Sequence, residues 1–192
     1  MQYMYVQFGF IALCFLIAAY YKKPWAALFT MLADFFLVIK QSNEIGVTIF
    51  IAAHACYIIR FGGSRKLLPF CFFCIFPAGL LMWVGSNFID LPPRISPYLI
   101  FVSVVYKQFF IMSLYTAISG YLKNRFQKPN GRLIVAGMLL FAACDVCVLI
   151  YNVSSGNLSQ TAFKFIWVFY APSQLLLALS ARNYGNRYPI KK

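Results

Sequence analysis

Residues 133–151 read LIVAGMLLFAACDVCVLIY, a continuous apolar run that contains a single ionisable side chain, Asp145. A helix needs about 17 to 25 apolar residues to cross roughly 30 Å of hydrocarbon. This run meets that requirement, and it predicts a transmembrane helix with one carboxyl group inside the membrane.

The composition of the whole chain agrees with this stretch. Of its 192 residues, 62% are hydrophobic and only 11% are charged, which is more apolar surface than a soluble core of this size can bury. The chain also has 21 Phe, 13 Tyr and 3 Trp, side chains that are typical of helices in contact with lipid and headgroups. Soluble globular, disordered, collagen-like, coiled-coil and disulfide-scaffold classes are therefore excluded.

Seven apolar segments are predicted to span the membrane. They are separated by short connections rich in Gly, Pro, Ser and Asn. The predicted spans are residues 3–21, 24–39, 45–61, 67–84, 97–122, 133–151 and 162–181. The fold class is thus all-α, a polytopic transmembrane helix bundle of about seven spans that forms a single domain over residues 1–192.

Three of these segments need comment. Residues 24–39 are short for a span, and residues 97–122 are long enough to form a tilted or broken helix. Residues 3–21 have no basic region before them and no small-x-small cleavage site after them. We therefore expect the first segment to remain as a span and not to be removed as a signal peptide.

The basic residues alternate between connections. The loops after the first, third and fifth segments and the tail after the seventh carry the whole net charge of +13, whereas the charges of the other loops balance. Since Lys and Arg of short loops stay cytoplasmic, the sequence predicts a multi-pass protein of the cell membrane with its N-terminus outside and its C-terminus in the cytoplasm. Basic residues spread between apolar runs do not indicate a nucleic-acid partner.

Several ionisable side chains lie within the predicted spans, where each costs about 2.5 to 3.5 kcal/mol on insertion scales. They are Asp34, His54, Lys107 and Asp145, with Lys164 near the outer end of the last span. Two interpretations remain open. The first is a set of buried ion pairs that hold helices together. The second is a polar cavity in the bundle.

Helical spacing favours the cavity. Four helices each place two polar side chains on one face, at spacings of three, four or seven residues. The pairs are Thr30 with Asp34, His54 with Tyr57, Asp145 with Asn152, and Tyr170 with Gln174. The sequence therefore predicts that Asp34 and Asp145 face one shared cavity, with His54, Tyr57, Tyr170 and Gln174 around them.

Two cysteine pairs have the spacing of zinc ligands, Cys71-x-x-Cys74 and Cys144-x-x-Cys147. Both pairs lie in apolar segments, where cysteine commonly serves as a small packing residue. The sequence therefore predicts no metal site and no other cofactor.

Short motifs along most of the chain resemble a known family. They are Lys23-Pro24, Ala33-Asp34, His54-x-x-Tyr57, the segment from Gly137 to Asp145, and Tyr170-x-x-x-Gln174. In order and spacing the chain resembles the YhhN-type lysoplasmalogenases. It differs in having Ala33 where the family usually has Gly, Cys144 where it usually has Ser, and about seven spans where the family usually has eight.

The resemblance implies a metal-independent ether hydrolase. The reaction would cleave the vinyl-ether bond of a lysoplasmalogen to a fatty aldehyde and a glycerophospho-alcohol. It needs a proton for the alkenyl carbon and a water for the resulting oxocarbenium ion, and two carboxyls in different environments can supply both functions. The substrate would be a lysophospholipid taken from the membrane lipids. The resemblance implies catalytic roles for Asp34, Asp145 and His54, and substrate binding by Tyr57, Lys107, Asn152, Tyr170 and Gln174.

The alternative is a non-enzymatic membrane protein, such as a small transporter. In that case Asp34, Lys107 and Asp145 would form an ion or proton relay. Inverted sequence repeats would favour a transporter, and none is detectable in the sequence.

Overall fold

A computed structural model describes residues 2–63, 70, 73, 75–88 and 95–182. This part of the chain contains seven helices and no strand, which confirms the all-α class. The helices are α1 Gln2–Tyr20, α2 Trp25–Asp34 with a π-helical turn Phe35–Ile39, α3 Asn43–Arg60, α4 Ile75–Phe88, α5 Pro97–Leu122, α6 Lys128–Val153 and α7 Gly156–Leu179.

Four of these helices are long and apolar enough to cross a membrane. They comprise Tyr3–Tyr20 of α1 and the whole of α5, α6 and α7. The segments Trp25–Ile39 and Ile75–Phe88 are shorter apolar helices. Helix α5 runs without a break over the predicted residues 97–122, because Ser96 Oγ accepts a 3.0 Å hydrogen bond from Leu99 N and Pro97 fits the first turn. The chain is a helical membrane protein.

Three predicted boundaries were wrong. Helix α6 begins at Lys128 and not at 133. Pro129 is tolerated there because N–H groups in the first turn of a helix have no intrahelical acceptor, so a proline at this position costs no hydrogen bond. Helix α7 begins at Gly156 and not at 162, so only Ser154 and Ser155 connect it to α6. Gly156 has a φ of +63°, which allows this tight reversal. Helix α4 extends to Phe88 instead of ending at 84, and its predicted start at 67 lies outside the described residues.

Helices α6 and α7 form an antiparallel hairpin with close backbone contact. A Cβ atom on Gly137 of α6 would lie 2.9 Å from Leu177 Cγ and 3.2 Å from Ser173 O of α7. A larger residue at 137 would therefore push the helices apart. Aromatic rings from α3, α5, α6 and α7 fill the centre of the bundle. They belong to Phe50, Tyr57, Tyr106, Phe110, Phe141 and Tyr170.

Side-chain contacts show that the helices alternate in direction. At one end of the bundle, Arg60 Nη2 donates to Leu177 O (3.1 Å), and Asn130 Nδ2 donates to Arg182 O (2.7 Å). At the opposite end, Ser96 Oγ donates to Glu44 Oε1. The first end, here called the basic end, carries Lys22, Lys23, Arg60, Lys123, Arg125, Lys128, Arg132 and Arg182. Lys40 and Glu44 lie at the opposite end. The remaining charged loop and tail residues, Arg65, Lys66, Asp90, Arg94, Arg187, Lys191 and Lys192, lie outside the described residues.

Candidate active site

Asp34 is the most deeply buried carboxyl group of the described chain. It ends α2 and is 2% exposed. Its Oδ2 atom accepts a 2.5 Å hydrogen bond from the Tyr170 hydroxyl of α7. No Lys or Arg of the described residues forms an ion pair with it. The π-helical turn Phe35–Ile39 follows at once, and such turns occur frequently at functional sites.

Asp145 has a different environment. Its Oδ2 atom accepts two hydrogen bonds of 2.8 Å, one from the Tyr106 hydroxyl and one from Lys107 Nζ, both on α5. The Asp145 side chain is 11% exposed, whereas that of Lys107 is 42% exposed. This ion pair therefore joins α5 to α6 and reaches the surface of the bundle.

His54 lies at the centre of the aromatic core and is fully buried. Its Nδ1 atom is 2.9 Å from Ser113 Oγ. Because the Ser113 hydroxyl donates its one hydrogen to Phe110 O (2.7 Å), the Nδ1–H group is the donor in the bond with Ser113. His54 Nε2 is then an unprotonated acceptor, and it has no hydrogen-bond partner among the described residues.

An aromatic layer connects the three predicted catalytic residues. The Phe141 ring centroid lies 5.5 Å from that of Tyr170 and 5.2 Å from that of His54. The His54 ring in turn lies 5.4 Å from Tyr106. Asp34 thus accepts a hydrogen bond from Tyr170 and Asp145 accepts one from Tyr106. The His54 ring lies between these two tyrosine–aspartate pairs.

A small cavity of about 10 Å³ lies beside this layer, roughly one helical turn closer to the basic end. Its polar lining is Thr30, Tyr57, Arg60 and Gln174, and its volume is about that needed for one water. Among the described residues Gln174 Nε2 has no hydrogen-bond partner, and the Thr30 hydroxyl interacts with Tyr57 without well-formed hydrogen-bond geometry. Neither Asp34 nor Asp145 lines this cavity.

The remaining predicted residues lie elsewhere. Asn152, near the end of α6, donates to Val148 O of its own helix (2.8 Å). Lys164 is exposed on α7 and forms no ion pair within the described residues. Cys144 and Cys147 are free thiols, and the described chain has no group of three or more His, Cys, Asp or Glu side chains arranged for a metal. Cys71 and Cys74 lie outside the described residues.

Sequence reasoning missed three residues of the site, Tyr106, Ser113 and Arg60. The first two belong to a buried face of α5 that also contains Phe110 and Ala117. These positions are spaced as i, i+4, i+7 and i+11, a helical pattern visible in the sequence. The sequence prediction included the adjacent Lys107 because it is charged. It did not include Tyr106, although Tyr106 donates to the same oxygen of Asp145 as Lys107 does.

The sequence model of the YhhN family matches residues 7–181 of the chain. The chain belongs to the YhhN family. This confirms the assignment made from the short motifs, and every predicted site residue falls within the matched range. No curated protein and no solved structure matches the chain significantly.

Both interpretations of the buried charges of this YhhN protein have support in the geometry. Asp145 forms an ion pair with Lys107, as a structural role requires. Asp34 does not, because its described partner is the neutral Tyr170 hydroxyl. The two carboxyls therefore differ in electrostatic environment, and charge pairing does not account for Asp34.

Proposed function

We propose that this YhhN protein is a membrane hydrolase that cleaves the vinyl-ether bond of lysoplasmalogens. Family membership and the apolar helices support a lipid substrate that reaches the site from the bilayer. The observation that carries the proposal is the contrast between the two carboxyls, one bonded only to a phenol and the other bonded to an ammonium group. Paired carboxyls in different environments are suited to separate acid and base roles.

The contrast suggests a division of roles. Asp34, which has no described cation beside it, donates a proton to the alkenyl carbon. Asp145, which is paired with the Lys107 ammonium group, stabilises the oxocarbenium ion. The free Nε2 atom of His54 accepts a hydrogen bond from the attacking water. Water adds to the carbon that bears the ether oxygen and returns one proton to the Asp34 carboxylate. The hemiacetal then collapses: Asp34 protonates the glycerol oxygen, the bond from that oxygen to the carbon breaks, and the hydroxyl proton of the hemiacetal returns to Asp34, which releases aldehyde and glycerophospho-alcohol.

The decisive assay uses the purified full-length protein in detergent. Incubation with a lysoplasmalogen should release fatty aldehyde and glycerophospho-alcohol in equal amounts. The matched control is the lysophospholipid with a saturated 1-O-alkyl ether, which has no alkenyl carbon to protonate and should not react. Absence of aldehyde from protein that is shown to be folded would contradict the proposal.

The competing function is a non-enzymatic relay, and the partly exposed Lys107–Asp145 pair is the observation that favours it. A charged pair at the surface of an apolar bundle is a feature of ion and proton pathways. This function predicts proton or ion flux in proteoliposomes that is lost in Lys107→Met. It also predicts that lysoplasmalogen is left unchanged.

We also infer that the basic end faces the cytoplasm, because Lys and Arg of short loops are retained there. Cysteine labelling with a membrane-impermeant maleimide tests this on two exposed positions at opposite ends, Lys123→Cys and Asn157→Cys. In intact cells only Asn157→Cys should label above the background of the unmodified chain, and Lys123→Cys should label after lysis. The reverse pattern would show that the bundle has the opposite orientation.

A further inference from the structure

Arg60 is a cation without an anionic partner in the described chain. Its Nη2 atom donates to Leu177 O (3.1 Å) and to Ser180 Oγ (2.6 Å), both neutral acceptors. The described carboxylates have other partners, namely Tyr170 for Asp34, Ser96 for Glu44, and Tyr106 with Lys107 for Asp145. The guanidinium also lies 6.0 Å from the Tyr57 ring centroid and 5.8 Å from that of Phe61. Because a partly buried charge is costly unless it is compensated, and no carboxylate of the described residues reaches it, an anionic ligand would stabilise this guanidinium further.

A second cation lies close to Arg60. Lys23, in the turn between α1 and α2, is partly buried, and both this burial and the nearby Arg60 guanidinium lower the pKa of its ammonium group. The described part of the basic end contains no Asp or Glu to separate these two positive charges. Like charges at close range destabilise each other, and a bound anion would relieve that repulsion.

The polar side chains that line the cavity beside Arg60 can all donate hydrogen bonds, and the rest of its lining is Cys14 and apolar residues. Thr30, Tyr57 and Gln174 line it together with the guanidinium, and each has an O–H or N–H group that can donate. Gln174 is 3% exposed, and its Nε2 atom has no hydrogen-bond partner in the part of the chain that the structure describes. A cavity that would hold about one water also fits one oxygen atom of a larger anion, and charged acceptors form the stronger hydrogen bonds.

The position of the cavity relative to Asp34 matches the proposed substrate. Thr30 lies one helical turn from Asp34, and Gln174 lies one turn from Tyr170, in both cases toward the basic end. That offset is about 5.4 Å. In a lysoplasmalogen the phosphate and the vinyl ether are attached to the two ends of a three-carbon glycerol. The distance between these two groups is therefore similar to the offset between the cavity and Asp34.

We propose that the Arg60 cavity binds the phosphate of a lysophospholipid. Arg60 and Gln174 hold one phosphate oxygen inside the cavity, and the positive charge of Lys23, which lies close enough to Arg60 to interact with it, adds to the attraction for the anion. This inference rests on the proposed function and adds to it the position of the headgroup, which lies at the basic end while the vinyl ether lies beside Asp34.

A binding experiment with two ligands tests the proposal. The probes are a saturated 1-O-alkyl lysophospholipid, which cannot be hydrolysed by protonation of an alkene, and the 1-O-alkylglycerol of the same chain length, which lacks the phosphate. The full-length protein in detergent should bind the phospholipid about tenfold or more tightly than the alkylglycerol, the size expected for hydrogen bonds to a charged group. Arg60→Gln should remove this preference, whereas Arg132→Gln, an exposed basic residue at the same end, should retain it.

Retention of the full phosphate preference in Arg60→Gln would overturn the proposal. If that variant does not fold, Gln174→Leu removes a cavity donor and keeps the guanidinium, and it too should weaken phospholipid binding. The alkyl lysophospholipid should raise the melting temperature of the protein, and inorganic phosphate alone should not. If inorganic phosphate raised it by the same amount, the cavity would be a site for free phosphate instead. Neither probe is hydrolysed, so the binding result does not depend on catalysis. The aldehyde assay tests the hydrolase proposal, and the binding assay tests the phosphate site, so failure of one proposal can be distinguished from failure of the other.

Discussion

Asp34→Asn should lower kcat for vinyl-ether hydrolysis by about 10²- to 10⁴-fold, the usual contribution of a general acid or base. Asparagine keeps the size of the side chain and an oxygen that accepts from Tyr170, but it cannot hold the transferred proton. The described partner of Asp34 is a neutral hydroxyl, so the substitution leaves no buried cation unpaired. The melting temperature should therefore change little.

Activity and melting temperature should be measured on the same preparations of this variant. Tyr170→Phe is the matched control, because it removes the hydrogen bond to Asp34 and leaves the carboxyl group in place, so its effect on kcat should be smaller. Full specific activity in Asp34→Asn would remove Asp34 from the mechanism.

Asp145→Asn should reduce both stability and activity, because Asp145 is paired with Lys107. Loss of the carboxylate leaves the ammonium unpaired, at an expected cost of about 1 to 3 kcal/mol. This is less than for a fully buried pair, since the Lys107 side chain is 42% exposed. If the carboxylate also stabilises the oxocarbenium ion, kcat per folded molecule should fall by about 10²-fold or more.

The double variant Asp145→Asn with Lys107→Met separates the two roles. A purely structural ion pair predicts that each single variant loses stability, that the double variant regains part of it, and that activity per folded molecule is unchanged throughout. A catalytic carboxylate predicts instead that the double variant stays inactive even where its melting temperature recovers. Full activity in the double variant would therefore assign Asp145 to structure alone.

The helices could be predicted wherever local signals and hydropathy agreed. The prediction for residues 97–122 was confirmed in full because Ser96 and Pro97 mark a helix start within an apolar run. The start of α6 was misplaced because Pro129 is both a common breaker of helices and a favoured residue of their first turn. Periodicity alone does not distinguish these two uses of proline.

The candidate site was less predictable than the fold. Helical periodicity shows which residues share a face of one helix, but it does not show which face of another helix they meet. The sequence therefore placed Asp34 and Tyr170 around one cavity without indicating that they touch, whereas the 2.5 Å bond between them depends on how α2 and α7 are placed in the bundle. Arg60 was assigned only to a loop charge, because its hydrogen bonds to Leu177 and Ser180 depend on where the end of α3 lies beside the end of α7.

The two-residue connection between α6 and α7 has a consequence for the order of assembly. A short connection costs little chain entropy to close, so these helices can pair as soon as both have entered the membrane. That hairpin already contains Asp145 and Tyr170, whereas Asp34 is 136 residues from its tyrosine. Contacts that are distant along the chain form late, and the Asp34–Tyr170 bond is accordingly among the last to form during biogenesis, when the long hairpin meets the N-terminal helices.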